Sequence, residues 1–342
     1  MIGERVKLAR EARQLTQTQL ASAAGISQGS LSDVEKGRIA QPSQEIVAAI
    51  ARATTFPLSF FHLGPLPDFP EGNYRKLKRG TTKAAAQVRA EVRQLAEVVL
   101  RAEQLVTLPP IVIEPIRQLN DLEEVENVAS EVRVVFRVGR LDPISNMTRA
   151  IERSGIVVVP LATEIEDHSG FSAWPDFGLD GRPIIAICRG YSGDHDRFTL
   201  AHEVGHLVLH TLRMKIDHVC AEREANRFAG ALLLPADAAR EAMPPPITLR
   251  VLMDVKARYG LSIAASAQRA LDLGLIGNNH FVSLRKQMST RGWNKEEPVE
   301  VATEQPVVIK KVIRVMAGDH GSLRDQTERS ATPPQTLRAL AS

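Results

Sequence analysis

The residues best suited to chemistry lie in the segment HEVGH at residues 202–206. His202 and His206 are one helical turn apart, so on a helix both imidazoles project from one face and can bind one metal ion. Glu203 lies beside the first histidine, where its carboxylate can take a proton from metal-activated water and pass it to a leaving amine. The spacing predicts a hydrolytic zinc site, but a pattern this short also arises by chance and needs a third ligand.

Candidates for that third ligand follow along the chain. His210 continues the four-residue spacing, but it would lie about 12 Å along the helix axis from His202. One ion cannot bridge that distance, so we interpret His210 as a core histidine or as a partner of a ligand. An acidic residue on the next predicted helix can complete a His–His–Glu site and leave a fourth position for water. The residues themselves leave Glu222 and Glu224 as alternatives.

A second functional pattern lies near the N-terminus. Residues 16–19 (TQTQ) form a capping box, in which the Thr16 hydroxyl and the Gln19 side chain satisfy backbone groups at a helix start. Gly25 can adopt the positive φ of a tight turn. Ser27 then caps a second helix that extends over residues 28–36. The pattern predicts two short helices joined by a turn.

The second of these helices presents polar side chains on its outward, N-terminal part, at Gln28, Ser30 and Ser32. A recognition helix presents its base-reading groups at this position in the major groove of DNA. A glutamine can form paired hydrogen bonds with an adenine edge. We therefore predict a DNA-binding module; a helical module that binds another protein is the alternative.

The elements that must position these residues are mostly helical. Amphipathic spacing predicts helices at 82–107, 122–136, 144–153, 197–212, 222–234, 249–259 and 263–272. The β-branched run at 156–160 predicts a buried strand, and we expect two further strands at 171–174 and 183–188. After residue 318 the chain is polar, which predicts disorder.

Composition is that of an ordinary globular protein, with 44% hydrophobic and 24% charged residues. A net charge of +3 permits binding to nucleic acid without requiring it. We find no apolar run near the roughly 18 residues that span a bilayer, and no signal-peptide pattern at the start. Two cysteines form no disulfide framework. These features favour a cytoplasmic protein.

The segment LTQTQLASAAGISQGSLSDVEKG closely resembles the XRE family of phage-repressor-like helix-turn-helix proteins, and the likeness covers residues 3–62. The resemblance implies an all-α domain in which Gln17 contacts the DNA backbone. It further implies base contacts from Gln28, Ser30 and Ser32, and we expect phosphate contacts at Lys36 and Arg38.

The segments RFTLAHEVGHLVLH and EREANRFAGALLLP resemble the ImmA/IrrE family of zinc peptidases. In that family the ligand glutamate opens an E-x-x-A-N pattern, which implies Glu222 as the third ligand. Asn226, one turn later, would then lie near a ligand histidine. The resemblance also implies that strand 183–188 holds an extended substrate by β-pairing. Zn²⁺ is the expected metal and Mn²⁺ is possible, because two histidines and a carboxylate accept either ion.

Together these features predict a mainly α fold with a small α+β metallopeptidase domain. We expect a phage-repressor-like domain, then a zincin-like domain with a short sheet, then a helical C-terminal appendage. The predicted divisions are 1–64 for DNA binding, 65–120 for a linker and long helix, 121–240 for the peptidase, 241–317 for the appendage and 318–342 for a disordered tail.

The predicted function is a transcriptional regulator with its own peptidase. An operator in double-stranded DNA, bound by a homodimer, would be one partner, since one short recognition helix reads few bases. The resemblance implies a repressor-type protein, or the chain itself, as the peptidase substrate. Two alternatives are a non-catalytic regulator whose metal domain senses a ligand, and an antitoxin-like module that binds a toxin-like protein.

Overall fold

The structure is a computed structural model that describes residues 2–66, 82–161, 169–174, 181–188, 190–213, 216–318 and 320–341. Helices predominate in these residues and surround a three-stranded sheet. The prediction of a mainly α chain with a small α+β part is therefore confirmed. Residues 67–81, which include most of the predicted linker before the long helix, lie outside the described residues.

The N-terminal region contains five helices around one small apolar core. They are α1 (Ile2–Glu11), α2 (Gln17–Ala24), α3 (Gln28–Glu35), α4 (Gln44–Thr54) and α5 (Leu58–Phe61). The capping box at Thr16 and Gln19 is present, because each residue's side chain accepts a hydrogen bond from the other's backbone N–H. Gly25 ends α2 with a φ of 69°, as the turn requires. The local signals therefore produce the predicted helix–turn–helix.

The sheet contains β1 (Val157–Pro160), β2 (Gly170–Ala173) and β3 (Ile184–Ile187) in the order β1-β3-β2. β1 pairs with β3 in parallel, and β2 pairs with β3 in antiparallel register. Successive side chains point to opposite faces, so Val158 and Ile185 enter one core whereas Val157 and Ile184 enter another. Both faces are covered, which explains why β1 and β3 are apolar throughout.

The larger core covers the first face of the sheet. Its helices are α7 (Leu122–Val135), α8 (Met147–Arg153), α9 (Gly193–His210), α10 (His218–Leu233), α11 (Ala236–Ala242), α12 (Leu249–Tyr259), α13 (Ile263–Asp272) and α14 (Asn278–Thr290). Leu252 of α12 and Met288 of α14 belong to the same apolar cluster as Leu207 of α9. The division expected at residue 240 therefore does not separate two hydrophobic cores.

The second face of the sheet is covered by α6 (Thr82–Glu103), α15 (Val308–Ala317) and α17 (Pro334–Ala341), with α16 (Leu323–Ser330) beside them. The prediction that 318–342 is disordered was wrong for the described part of this segment. Leu337 and Leu340 are one helical turn apart and both enter the core against the sheet. The segment is mostly polar in composition, so its composition gave no indication that these two leucines are buried.

Polar contacts, one of them a buried ion pair, attach the helix-turn-helix region to the rest of the chain. Arg5 of α1 pairs with Glu97 of α6, and the Glu328 carboxylate of α16 accepts hydrogen bonds from the backbone N–H groups of Leu58 and Ser59. Among the described helices, none combines the length and apolar content needed to cross a membrane.

Candidate metal centre and helix-turn-helix surface

The two histidines of the HEVGH segment meet a glutamate from the neighbouring helix. His202 and His206 lie on one face of α9, and their Nε2 atoms are 2.9 Å apart. The carboxylate of Glu222 on α10 places one oxygen 3.4 Å from His202 Nε2 and the other 3.3 Å from His206 Nε2. The possible ligand atoms of the three residues lie within 4.8 Å of one another.

This donor set fits a divalent metal ion. An isolated pair of imidazole nitrogens this close, with lone pairs facing each other, is repulsive unless a proton or a cation lies between them. Two imidazoles and one carboxylate are the ligands of many catalytic zinc sites, which keep one further position open. Glu222 is 30% exposed, whereas the imidazoles of His202 and His206 are 12% and 15% exposed. The two histidines are therefore largely shielded from water, whereas the glutamate side of the cluster is more exposed to solvent.

A hydrogen bond orients the first histidine. His202 Nδ1 lies 2.9 Å from Oδ1 of Asn226, which is one helical turn beyond Glu222 on α10. With the amide oxygen as acceptor, His202 carries its proton on Nδ1 and leaves the Nε2 lone pair facing the cluster. Hydrogen-bond partners of this kind commonly hold metal-binding histidines in one orientation, and this role for Asn226 stays a prediction.

Glu203 lies between the histidine-bearing helix and the sheet. Its side chain is buried, and Ser172 Oγ of β2 donates a 2.6 Å hydrogen bond to one carboxylate oxygen. Gly170 permits this close approach, because a Cβ there would lie 2.6 Å from the Thr199 methyl and 3.3 Å from Glu203 Cγ. Sequence reasoning missed Ser172 and Gly170, since only strand pairing brings them to α9.

The second acidic candidate, Glu224, faces a different group. Its carboxylate lies 3.1 Å from His210 Nε2 and accepts a 2.7 Å hydrogen bond from Arg213. Burial opposes ionisation of Glu224, but the hydrogen bonds from Arg213 and His210 outweigh it and lower the pKa of the carboxyl group. Burial, with His206 nearby, lowers the pKa of His210 to about 4. The structure thus brings Glu222, not Glu224 or His210, to the histidine pair.

The expected substrate-holding strand is not available for pairing. Segment 183–188 contains β3, which is the central strand and is hydrogen-bonded on both sides. The prediction was wrong because sequence patterns give no strand order. Within the described residues β2 is the strand at this edge of the sheet, and its Ser172 contacts Glu203. An extended peptide could pair only with an edge strand such as β2.

The helix-turn-helix residues form a connected surface at the starts of α2 and α3. Gln28 donates a 2.9 Å hydrogen bond to Gln17, which donates a 2.8 Å hydrogen bond to Glu35. Gln28 is exposed, and Gln17 is half-buried. The other expected DNA contacts follow along the same segment: Ser30 and Ser32 are half-buried, and Lys36 and Arg38 are exposed.

Two known protein families match separate parts of the chain. Residues 6–61 match the helix-turn-helix family model, and residues 151–271 match the model of the IrrE N-terminal-like domain, a peptidase family. The second match includes the sheet, α9 and α10, and it extends to α13. A search of curated proteins found no significant match.

Proposed function

We propose a function on the premise that this chain joins an XRE-type helix-turn-helix domain to an IrrE-like peptidase domain. The proposed protein is a DNA-binding transcriptional regulator that also hydrolyses a peptide bond with a zinc ion. The observation that carries the proposal is the convergence of His202, His206 and Glu222 on one point, with Glu203 beside them on α9. The peptidase family makes a metal expected, and zinc is the ion that this donor set favours.

The residues of the site have distinct proposed tasks. His202, His206 and Glu222 would hold the ion, which when bound polarises the substrate carbonyl and lowers the pKa of water. Glu203 would accept the proton of the attacking water and transfer it to the leaving amine. The Ser172 hydroxyl holds the Glu203 carboxylate in one orientation through its 2.6 Å hydrogen bond. Asn226 holds the ring of His202 through Nδ1.

The proposed substrate is an extended segment of a repressor-type protein or of the chain itself. A peptide laid along β2 would pass close to Glu203, because Ser172 of that strand contacts its carboxylate. Backbone pairing with an edge strand requires no particular side chains, so it suits a protein substrate in a locally unfolded segment. The family resemblance supports a repressor as the source of that segment.

The helix-turn-helix region provides the argument for a DNA target and for the location of the protein in the cell. Gln28 and Gln17 form a hydrogen-bonded pair at the exposed end of α3, which suits contact with a base edge and the adjoining backbone. Two copies of the chain on a two-fold operator would read enough bases for specificity. An operator target also implies a cytoplasmic location. Cleavage of the repressor segment would then relieve repression.

The Glu203→Gln variant tests the proposal. The amide cannot accept the proton, but it can still accept the hydrogen bond from Ser172, so fold, metal binding and DNA binding are expected to persist. Derepression of a reporter under the regulated promoter, and cleavage of the repressor on a gel, are expected to disappear. Unchanged derepression in this variant would favour a non-catalytic sensor or a toxin-binding module and would overturn the peptidase proposal.

A further inference from the structure

A line of hydrogen bonds leads away from His206 on the side opposite the metal cluster. His206 Nδ1 lies 2.8 Å from Nδ1 of His210, one helical turn later on α9. The other ring nitrogen of His210, Nε2, lies 3.1 Å from Oε2 of Glu224 on α10. The same Oε2 accepts a 2.7 Å hydrogen bond from Arg213, which follows α9. The four side chains are 10–17% exposed and thus largely shielded from water.

Only one arrangement of protons satisfies this line when His206 binds a metal through Nε2. The ring of His206 must then carry its proton on Nδ1 and donate it to His210. Nδ1 of His210 must accept that bond, so the proton of His210 lies on Nε2 and is donated to Glu224. Arg213 supplies the positive charge that keeps Glu224 an acceptor. Each bond direction follows from the previous one.

We propose that His210, Glu224 and Arg213 are positioning residues that fix the tautomer and ring orientation of His206 for metal binding. This inference rests on the metal centre of the proposed function but not on peptidase activity. The two histidines would then be oriented in different ways. Asn226 accepts directly from His202, whereas His206 reaches its carboxylate through a second imidazole. Partners of metal-bound histidines of this kind typically change metal affinity about 10- to 100-fold when removed.

The line also connects the two helices that supply the metal ligands. His206 and His210 belong to α9, whereas Glu224 lies on α10 two residues after Glu222. Arg213 additionally donates to the backbone carbonyl of Leu209 at 3.3 Å, which holds its guanidinium at the end of α9. Loss of the line therefore loosens the orientation of His206 and the position of Glu222 at once.

Zinc affinity of the full chain provides the first test, measured by competition with a chromogenic chelator. His210→Phe removes the acceptor and is expected to weaken zinc binding about 10- to 100-fold. Glu224→Gln retains an oxygen that can accept from both neighbours, so we expect a smaller loss. His280→Phe is the matched control, because His280 is exposed on α14 and distant in sequence from the ligands. Equal zinc affinity in His210→Phe and wild type would overturn the inference.

The tautomers of the wild-type protein provide a second test that needs no variant to fold. A long-range ¹H–¹⁵N spectrum of the zinc-loaded chain is expected to show the proton of His206 on Nδ1 and that of His210 on Nε2. A proton on Nδ1 of His210 would overturn the inference. Absence of zinc binding in the wild type would overturn both this inference and the proposed function. Tight zinc binding with the expected tautomers but no proteolysis would overturn the peptidase function alone.

Discussion

The guanidinium of Arg5 forms a buried two-point ion pair with the carboxylate of Glu97. One of its two hydrogen bonds is 3.0 Å long, and the two side chains are 0% and 9% exposed. Arg5 also donates to the carbonyl oxygens of Leu63 and Gly64. Because Glu97 lies on α6, which packs against the sheet, this pair joins the helix-turn-helix region to a helix that covers one face of the sheet.

Removal of one partner of this pair is expected to destabilise the protein strongly. Glu97→Ala leaves the Arg5 charge buried without its carboxylate, which typically costs about 3–5 kcal/mol. Guanidinium denaturation followed by circular dichroism measures the change. Arg140→Ala is the control, because its partner Asp237 and Arg140 itself are 43% and 82% exposed, and such pairs contribute at most about 1 kcal/mol. Equal losses in both variants would contradict the burial argument.

Zinc content tests the three-residue cluster. We expect about one zinc ion per purified chain, and we expect Glu222→Ala to lose it because two imidazoles alone hold the ion weakly. Elemental analysis without added zinc gives the answer. The control is Glu241→Ala, an exposed acidic residue outside the cluster. Full zinc content in Glu222→Ala would mean that another group completes the site.

Because β2 approaches α9 closely, we expect that Gly170 cannot be replaced by a larger residue without loss of stability. Gly170→Ala would place a Cβ 2.6 Å from the Thr199 methyl, and overpacking of this kind typically costs about 1–3 kcal/mol. Thr199→Ser removes that methyl, so the double variant is expected to recover much of the loss. Gly64→Ala is the control, since a Cβ there meets nothing within 4 Å. The free energy of unfolding is the measurement; no recovery in the double variant would contradict the steric explanation.

The ion pairs of Glu126 predict a pH dependence of stability. Burial opposes ionisation of this carboxyl group, but hydrogen bonds and charges from Arg269 and Arg227 lower its pKa below its ordinary value of 4.5. A lowered pKa in the folded state means that the unfolded chain binds more protons in this range, so the contribution is present above pH 4.5. It is lost as the pH falls toward the lowered pKa.

The Glu126→Gln variant isolates this contribution. The wild type is expected to be more stable than the variant near neutral pH, and the difference is expected to shrink as the pH falls below 4.5. Urea denaturation at a series of pH values measures both proteins. A difference that stays constant with pH would show that the carboxylate contributes by packing rather than by charge.

The proposed DNA contacts of Gln28 and Lys36 predict different effects when each residue is replaced. Gln28→Ala is expected to weaken binding to an operator selected from random duplexes by about 1–3 kcal/mol and to relax the preference at one base pair. Lys36→Ala is expected to weaken binding to all sequences equally and to reduce the slope of affinity against salt by about one. Fluorescence anisotropy at several salt concentrations separates them. A uniform loss in Gln28→Ala would argue against a base contact.

Features encoded within one helical turn could be predicted from the sequence alone. Spacing of four residues placed His202 and His206 on one face, and the TQTQ pattern predicted the capping box at Thr16, because both depend on the geometry of a single helix. The positions of all three strands were also predicted, because each strand is one short run of consecutive residues. The family resemblance added the approach of Glu222 and Asn226 to the histidines, which spacing left open.

Relationships between distant segments were decided by the tertiary structure. Strand order made β2 an edge strand and brought Ser172 to Glu203, whereas the family resemblance had implied substrate pairing with the segment that contains β3. The mostly polar C-terminal segment forms α17, which is held in place because Leu337 and Leu340 pack in the core against the sheet. Pairing of Arg5 with Glu97 joined residues 92 positions apart. Such contacts depend on how whole elements dock, and the free energy of docking is shared among many side chains that no local pattern records.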